Sequence, residues 1–177
     1  MEEKKTEASV HIITGAINSG KTTELRERIE KWRNLGKTPG GIITEAEWKG
    51  GIKSAFFVRP LGGREKALVA ARKEGIPKTG KPQGLSFEFY QEGFDIAARW
   101  IHKAWEEGAD PLCIDELGPL ELSGGGHWPA LVHAVYGFGG TITVVVRKEL
   151  VEEFCRLFNE MGKRVVVEEV SCGERKA

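Results

Sequence analysis

The chain of 177 residues is 40% hydrophobic and 29% charged, with 26 basic and 26 acidic residues and a formal net charge of zero. This fits one globular domain, residues 1–177, with enough length for a real core, and it supplies no global basic field to draw the chain to nucleic acid or an anionic membrane. Met1 to Glu7 lacks the apolar core of a signal peptide, no apolar run approaches membrane-spanning length, and Cys113, Cys155 and Cys172 are odd in number and far apart, so a cytoplasmic protein with reduced thiols is expected.

Residues 1–8 are expected to form a solvated tail. Val10 to Thr14 is a short β-branched run that reads as a buried strand. Directly after it come Gly15, Ala16, Ile17, Asn18, Ser19, Gly20, Lys21 and Thr22, the Gly-x-x-x-x-Gly-Lys-[Ser/Thr] pattern of a phosphate-binding loop, or P-loop. Gly15 and Gly20 lack a Cβ, so the backbone can turn its N–H groups inward and approach a phosphate closely. Lys21 would set its charge on the β- and γ-phosphates, and the Thr22 hydroxyl would bind Mg²⁺. Thr23 opens the following helix, whose Leu25, Ile29 and Trp32 recur at helical spacing. Strand, glycine loop and helix N-terminus together are what a bound phosphate requires.

Gly36 and Pro39-Gly40-Gly41 end this helix, and Ile42-Ile43-Thr44 begins a second strand. Residues 45–90 read differently. Ala55–Arg72 is expected to form a β-hairpin across Gly62-Gly63, with a short helix over Arg64–Glu74 as the competing reading. Residues 75–84 hold three glycines and two prolines and read as a loop, and Leu85 to Tyr90 as a strand. From Phe94 the helical period returns through Trp105. Pro111 to Ile114 is a buried strand, Trp128 to Tyr136 a helix, Thr141 to Val146 a central strand, Glu149 to Met161 a helix and Val165 to Val167 a closing strand. Strands alternating with helices predict an α/β fold with a mostly parallel, doubly wound sheet and an antiparallel hairpin insert at about 45–90.

The strand over 111–114 delivers Asp115-Glu116 at its carboxyl end, where the ligand crevice of a parallel sheet lies. An apolar strand ending in acid reads as a Walker B element. Asp115 is expected on the metal side and Glu116 as general base, pointing apart because strand side chains alternate. Glu121 follows, either at the site or on a loop surface. Glu45, Lys53 and Arg147 lie near strand ends from which they could reach the nucleotide, the guanidinium of Arg147 toward the γ-phosphate. Trp48 and Trp128 flank glycine turns and read as packing residues or base-stacking platforms. The chemistry that follows is Mg²⁺-dependent hydrolysis of a nucleoside triphosphate. A P-loop kinase for a small molecule and a nucleotide-controlled binding module are the alternatives. Nothing in the sequence names a protein partner.

Three stretches resemble the THEP-type nucleoside-triphosphatases: Gly15 to Thr22, then Gly41-Ile42-Ile43-Thr44-Glu45 with Gly50-Gly51 and an aromatic strand through Phe56, and Asp115-Glu116-Leu117-Gly118-Pro119-Leu120-Glu121-Leu122. The resemblance covers most of the chain. It implies a RecA-like P-loop NTPase, with one strand between those carrying the two Walker elements. It further implies slow, Mg²⁺-dependent turnover with loose base selectivity, with Gly20, Lys21 and Thr22 on phosphate and metal and Asp115 and Glu116 as the acidic pair. The chain departs from the family where Glu47-Trp48-Lys49 follows Glu45 without an arginine, and where Ala55 replaces a glycine.

Overall fold

The computed structural model describes residues 9–74 and 86–171. In chain order the elements are β1 (Ser9–Gly15), α1 (Lys21–Asn34), β2 (Gly40–Lys49), β3 (Ile52–Pro60), β4 (Ala67–Arg72), β5 (Phe87–Phe89), α2 (Gln91–Glu106), β6 (Leu112–Leu117), α3 (Pro119–Leu122), α4 (Trp128–Gly137), β7 (Ile142–Arg147), α5 (Val151–Glu160) and β8 (Arg164–Glu169). All eight strands join one sheet in the order β5-β4-β3-β2-β6-β7-β1-β8. From β2 through β8 the pairings are parallel, and β3, β4 and β5 add on antiparallel beyond β2.

Side-chain alternation along the parallel strands divides the core in two. Ile13, Ile43, Cys113 and Val145 face α1, where they meet Leu25 and Ile29. Val10, Ile12, Ile42, Ile114, Val144 and Val146 face the other way, toward α2, α4 and α5. Every one of these residues is at most 5% exposed, so the inner parallel strands are covered on both faces, as a parallel sheet requires. The P-loop strand β1 and the acidic strand β6 are separated by β7 alone, the arrangement that the family resemblance implies.

The insert lies within the expected stretch of about 45–90 but holds one hairpin more than the sequence suggests. β2 runs on to Lys49 and turns at Gly50-Gly51 into β3, so two consecutive hairpins, β2–β3 and β3–β4, extend the sheet. The competing helix over 64–74 does not form, because Ala67, Val69 and Ala70 bury themselves as a strand against β3 and beneath α2. Helix α2 lies close on this strand. Gly93 is the reason: a Cβ there would collide with the Leu68 carbonyl. A short helix, α3, also forms where the sequence shows no period. The expected tail over 1–8, the loop over 75–84 and Cys172 lie outside the described residues. Cys113 is fully buried, as a packing residue should be, and burial pushes its thiol far up.

Candidate functional site

The site forms where β1, β6 and β7 end. Gly20 adopts φ +86, a left-handed conformation that glycine reaches without steric cost, and it stands at the N-cap of α1 with no side chain capping the helix. The first N–H groups of α1 therefore face the cleft instead of a protein acceptor. Asn18 at φ 59 completes the turn, and the Ser19 N–H donates to the Ala16 carbonyl at 3.1 Å. The Lys21 ammonium donates to the Gly15 and Ala16 carbonyls at 3.0 and 2.7 Å. Its pKa is lowered by burial, with the neighbouring Glu116 pulling it back up.

Behind the loop, the Thr22 hydroxyl donates to the Asp115 carboxylate, 3.3 and 3.2 Å from its two oxygens. Asp115 is fully buried and also accepts the Thr44 N–H at 3.0 Å. Burial first, and the charge of Glu116 second, raise its pKa from 3.8 to about 7. The parallel ladder between β2 and β6 runs from Gly40 to Ile42, so Thr44 meets Asp115 beyond its last pair.

Glu116 is held differently from what the strand pleat predicts. The register of β6 against β7 passes from Ile114 beside Val144 to Leu117 beside Val146, which leaves one extra residue on β6. This β-bulge places Glu116 at φ 66, a conformation that costs a non-glycine residue about 1–2 kcal/mol. The bulge, and not simple alternation, turns the two acids apart. It also returns Leu117 to the same core layer as Ile114.

A cleft of about 180 Å³ gathers much of what the sequence singled out: Ile17, Asn18, Gly20, Lys21, Thr22 and Thr23 from the loop and helix start, with Lys53, Glu116 and Arg147 across from them. Arg147 pairs in register with Gly15 at the mouth of the P-loop. Lys53 lies 5.4 Å from the centre of the Trp48 ring. Glu45 is not part of this lining. It sits on the α1 face, paired with Arg26 at 3.3 Å and Arg59 at 3.0 Å. Glu121 is neither a surface residue nor a contact of the P-loop cleft. It is 4% exposed, and its two carboxylate oxygens accept the N–H groups of Gly118 at 2.8 Å and His127 at 3.0 Å. It thereby fastens the loop after β6, and burial raises its pKa. Trp128 packs against Phe154 and Phe158. Trp48 is 55% exposed.

Sequence reasoning missed Thr44 as a partner of Asp115, and it missed a second cavity beside the cleft. Lining that cavity are Phe56, Phe87, Phe89, Phe94 and His127, and Glu116 and Arg147 border both spaces. The signal was present as a dense run of aromatic residues through 56–94, but only the folded insert brings them together.

A family model described as "NTPase" matches residues 10–176. The chain belongs to this NTPase family. Among its relatives, Nucleoside-triphosphatase THEP1 of Methanocaldococcus jannaschii is 34% identical over 111 residues, which is 62% of this chain and 62% of that protein. The protein of the same name from Pyrococcus abyssi is 33% identical over 62% of this chain and 59% of its own length. These matches thus span about three fifths of the relatives. In fold, the NTPase-family chain is similar to a human cancer-related nucleoside triphosphatase solved in solution, with a TM-score of 0.68 and 22% identity over 95% of this chain and 92% of that one. It is equally similar to crystalline THEP1 from the hyperthermophile Aquifex aeolicus, at 0.68 and 21%, covering 95% and 93%. The fold class predicted from sequence, a mostly parallel α/β sheet of the P-loop NTPase kind, is therefore the fold of the family.

Proposed function

We propose that this chain hydrolyses nucleoside triphosphates to the diphosphate and phosphate, using Mg²⁺. One observation carries the reading: the P-loop, Lys21, Thr22 backed by Asp115, Glu116 and Arg147 converge on one end of the sheet. Membership of the NTPase family supports it. The P-loop N–H groups and Lys21 would hold the β- and γ-phosphates. Thr22 and Asp115 form an all-oxygen pair that would hold Mg²⁺, directly or through its water shell. When bound there, Mg²⁺ neutralises charge that develops on the phosphates. Glu116 would take the proton of the attacking water, and Arg147, beside Gly15, would stabilise the charge on the γ-phosphate oxygens. These contacts address the phosphates, the part shared by all nucleotides, so loose selectivity among bases follows.

The test is phosphate release from ATP, GTP, CTP and UTP with and without Mg²⁺, for the wild type and for Lys21→Ala and Glu116→Gln. The expected result is Mg²⁺-dependent release from several nucleotides. Lys21→Ala should lose binding and turnover together. Glu116→Gln should keep nucleotide affinity and lose turnover by about 10²–10⁴-fold. Turnover undiminished in Glu116→Gln removes that residue from the mechanism.

A further inference from the structure

Water is a small nucleophile and needs little room, about 30 Å³ in the liquid. Beyond Glu116, on the side away from the P-loop, the chain instead builds a cavity of about 290 Å³. That is roughly twice the size of an apolar cavity known to accept benzene, so it fits one or two fused rings. Its walls are the rings of Phe56, Phe87, Phe89 and Phe94, from β3, β5 and α2. Phe56 and Phe87 stand 5.1 Å apart, and Phe94 meets the His127 ring edge to face at 4.9 Å. Among its charged lining groups, the Glu121 carboxylate is already occupied by two backbone N–H groups. Glu116 and Arg147 stand at the join with the P-loop cleft. His127 is 4% exposed, and its Nδ1 is buried without a hydrogen-bond partner.

Direction matters as much as shape. With its phosphates on the P-loop and Lys21, a nucleotide turns its γ-phosphate toward the acidic end of β6. Glu116 and Arg147 line both the P-loop cleft and the aromatic cavity, so a group held in the cavity at Glu116 adjoins the space that the γ-phosphate would take. We propose that this cavity binds a neutral aromatic alcohol of one or two rings as a phosphoryl acceptor, its ring among the four phenylalanines, its hydroxyl at Glu116. The inference rests on reading the P-loop cleft as a nucleoside-triphosphate site. In the transfer, the acceptor oxygen forms a bond to the γ-phosphorus while the bond from that phosphorus to the β–γ bridging oxygen breaks. The hydroxyl proton passes to Glu116 and then to solvent. The products are a phosphomonoester and the nucleoside diphosphate, and hydrolysis is the same step with water in place of the alcohol.

The probes are indole-3-ethanol and 2-naphthalenemethanol, tested on the full chain by ligand-observed NMR and, with Mg²⁺ and ATP, by phosphorus NMR. Two variants close the cavity. Ala70→Phe fills it from β4, and Phe89→Glu places a charge in its wall at a residue 44% exposed, where the fold tolerates it. The expected result is binding to the wild type that weakens about tenfold or more in both variants, and a phosphomonoester signal that disappears in Glu116→Gln while the alcohol still binds. Binding no tighter to wild type than to Phe89→Glu overturns the proposal. So does a bound alcohol with ATP converted to inorganic phosphate alone. A wild-type chain that neither hydrolyses ATP nor transfers phosphate fails at the underlying reading instead.

Discussion

An acid buried without a cation beside it should weaken the protein as it ionises, and Asp115 allows this to be measured. Its carboxyl is fully buried, accepts two hydrogen bonds, and titrates at about 7 in place of its ordinary 3.8. A raised pKa means that the folded chain holds this proton more tightly than the unfolded chain does. The associated stability is complete below pH 3.8 and is lost as pH rises through 7. Across that window the wild type forfeits at most about 4 kcal/mol. Asp115→Asn has nothing to ionise and keeps an oxygen for the Thr44 N–H. In EDTA, the variant should gain on the wild type by up to that amount between pH 4 and pH 8, roughly 8–16 °C in Tm for a chain of this size. Urea titrations at a series of pH values give the gap directly, and the variant should be inactive throughout. A gap that does not change with pH refutes the reasoning, because Asp115 would then be ionised and adequately paired without metal.

Removing the Glu121 side chain leaves the Gly118 and His127 N–H groups buried without acceptors, so Glu121→Ala should lose about 2–4 kcal/mol in urea unfolding; a loss under about 0.5 kcal/mol would deny the carboxylate its fastening role. Gly93→Ala drives a Cβ into the Leu68 carbonyl and should cost about 1–3 kcal/mol, read as a fall in Tm that Gly139→Ala, where a Cβ meets open space at an ordinary φ, does not reproduce. His127 has its pKa lowered by burial from 6.5 to about 4. Its contribution is therefore present above pH 6.5 and lost as pH falls toward 4, by at most about 3 kcal/mol, a sign opposite to that of Asp115. His127→Phe should abolish that acid-side loss, and comparing its urea midpoints with the wild type at pH 5 and 7.5 checks it.

The P-loop motif was legible because its pattern is local: a strand, two glycines, a lysine and a hydroxyl follow one another without interruption from Val10 to Thr22. The parallel strands were legible as β-branched runs buried on both faces, and Asp115-Glu116 as acids at the end of one of them. What stayed hidden depends on partners distant in sequence. Thr44 looks like the end of an ordinary strand until the sheet sets it against Asp115, 71 residues on. The bulge at Glu116 arises from the register between β6 and β7, which no single strand reveals. Glu45 looked available because its partners Arg26 and Arg59 lie on two other elements. Glu121 carries the charge of a surface residue, and only the closing of the 118–127 loop spends both its oxygens on backbone.

β2 belongs to two structures at once. Gly40 to Ile42 lies in the parallel ladder with β6, and from Ile42 to Lys49 the strand pairs with β3. Thr44 is the stitch between them, its N–H on the Asp115 carboxylate and its hydroxyl donating to the Asp115 carbonyl at 3.3 Å. The hairpins are therefore exchangeable only along a particular seam. A chimera that takes its new hairpin from residue 46 onward exchanges Lys53 of the cleft wall but keeps both bonds between Thr44 and Asp115, whereas one joined at residue 42 cuts the thread that holds the carboxylate in place.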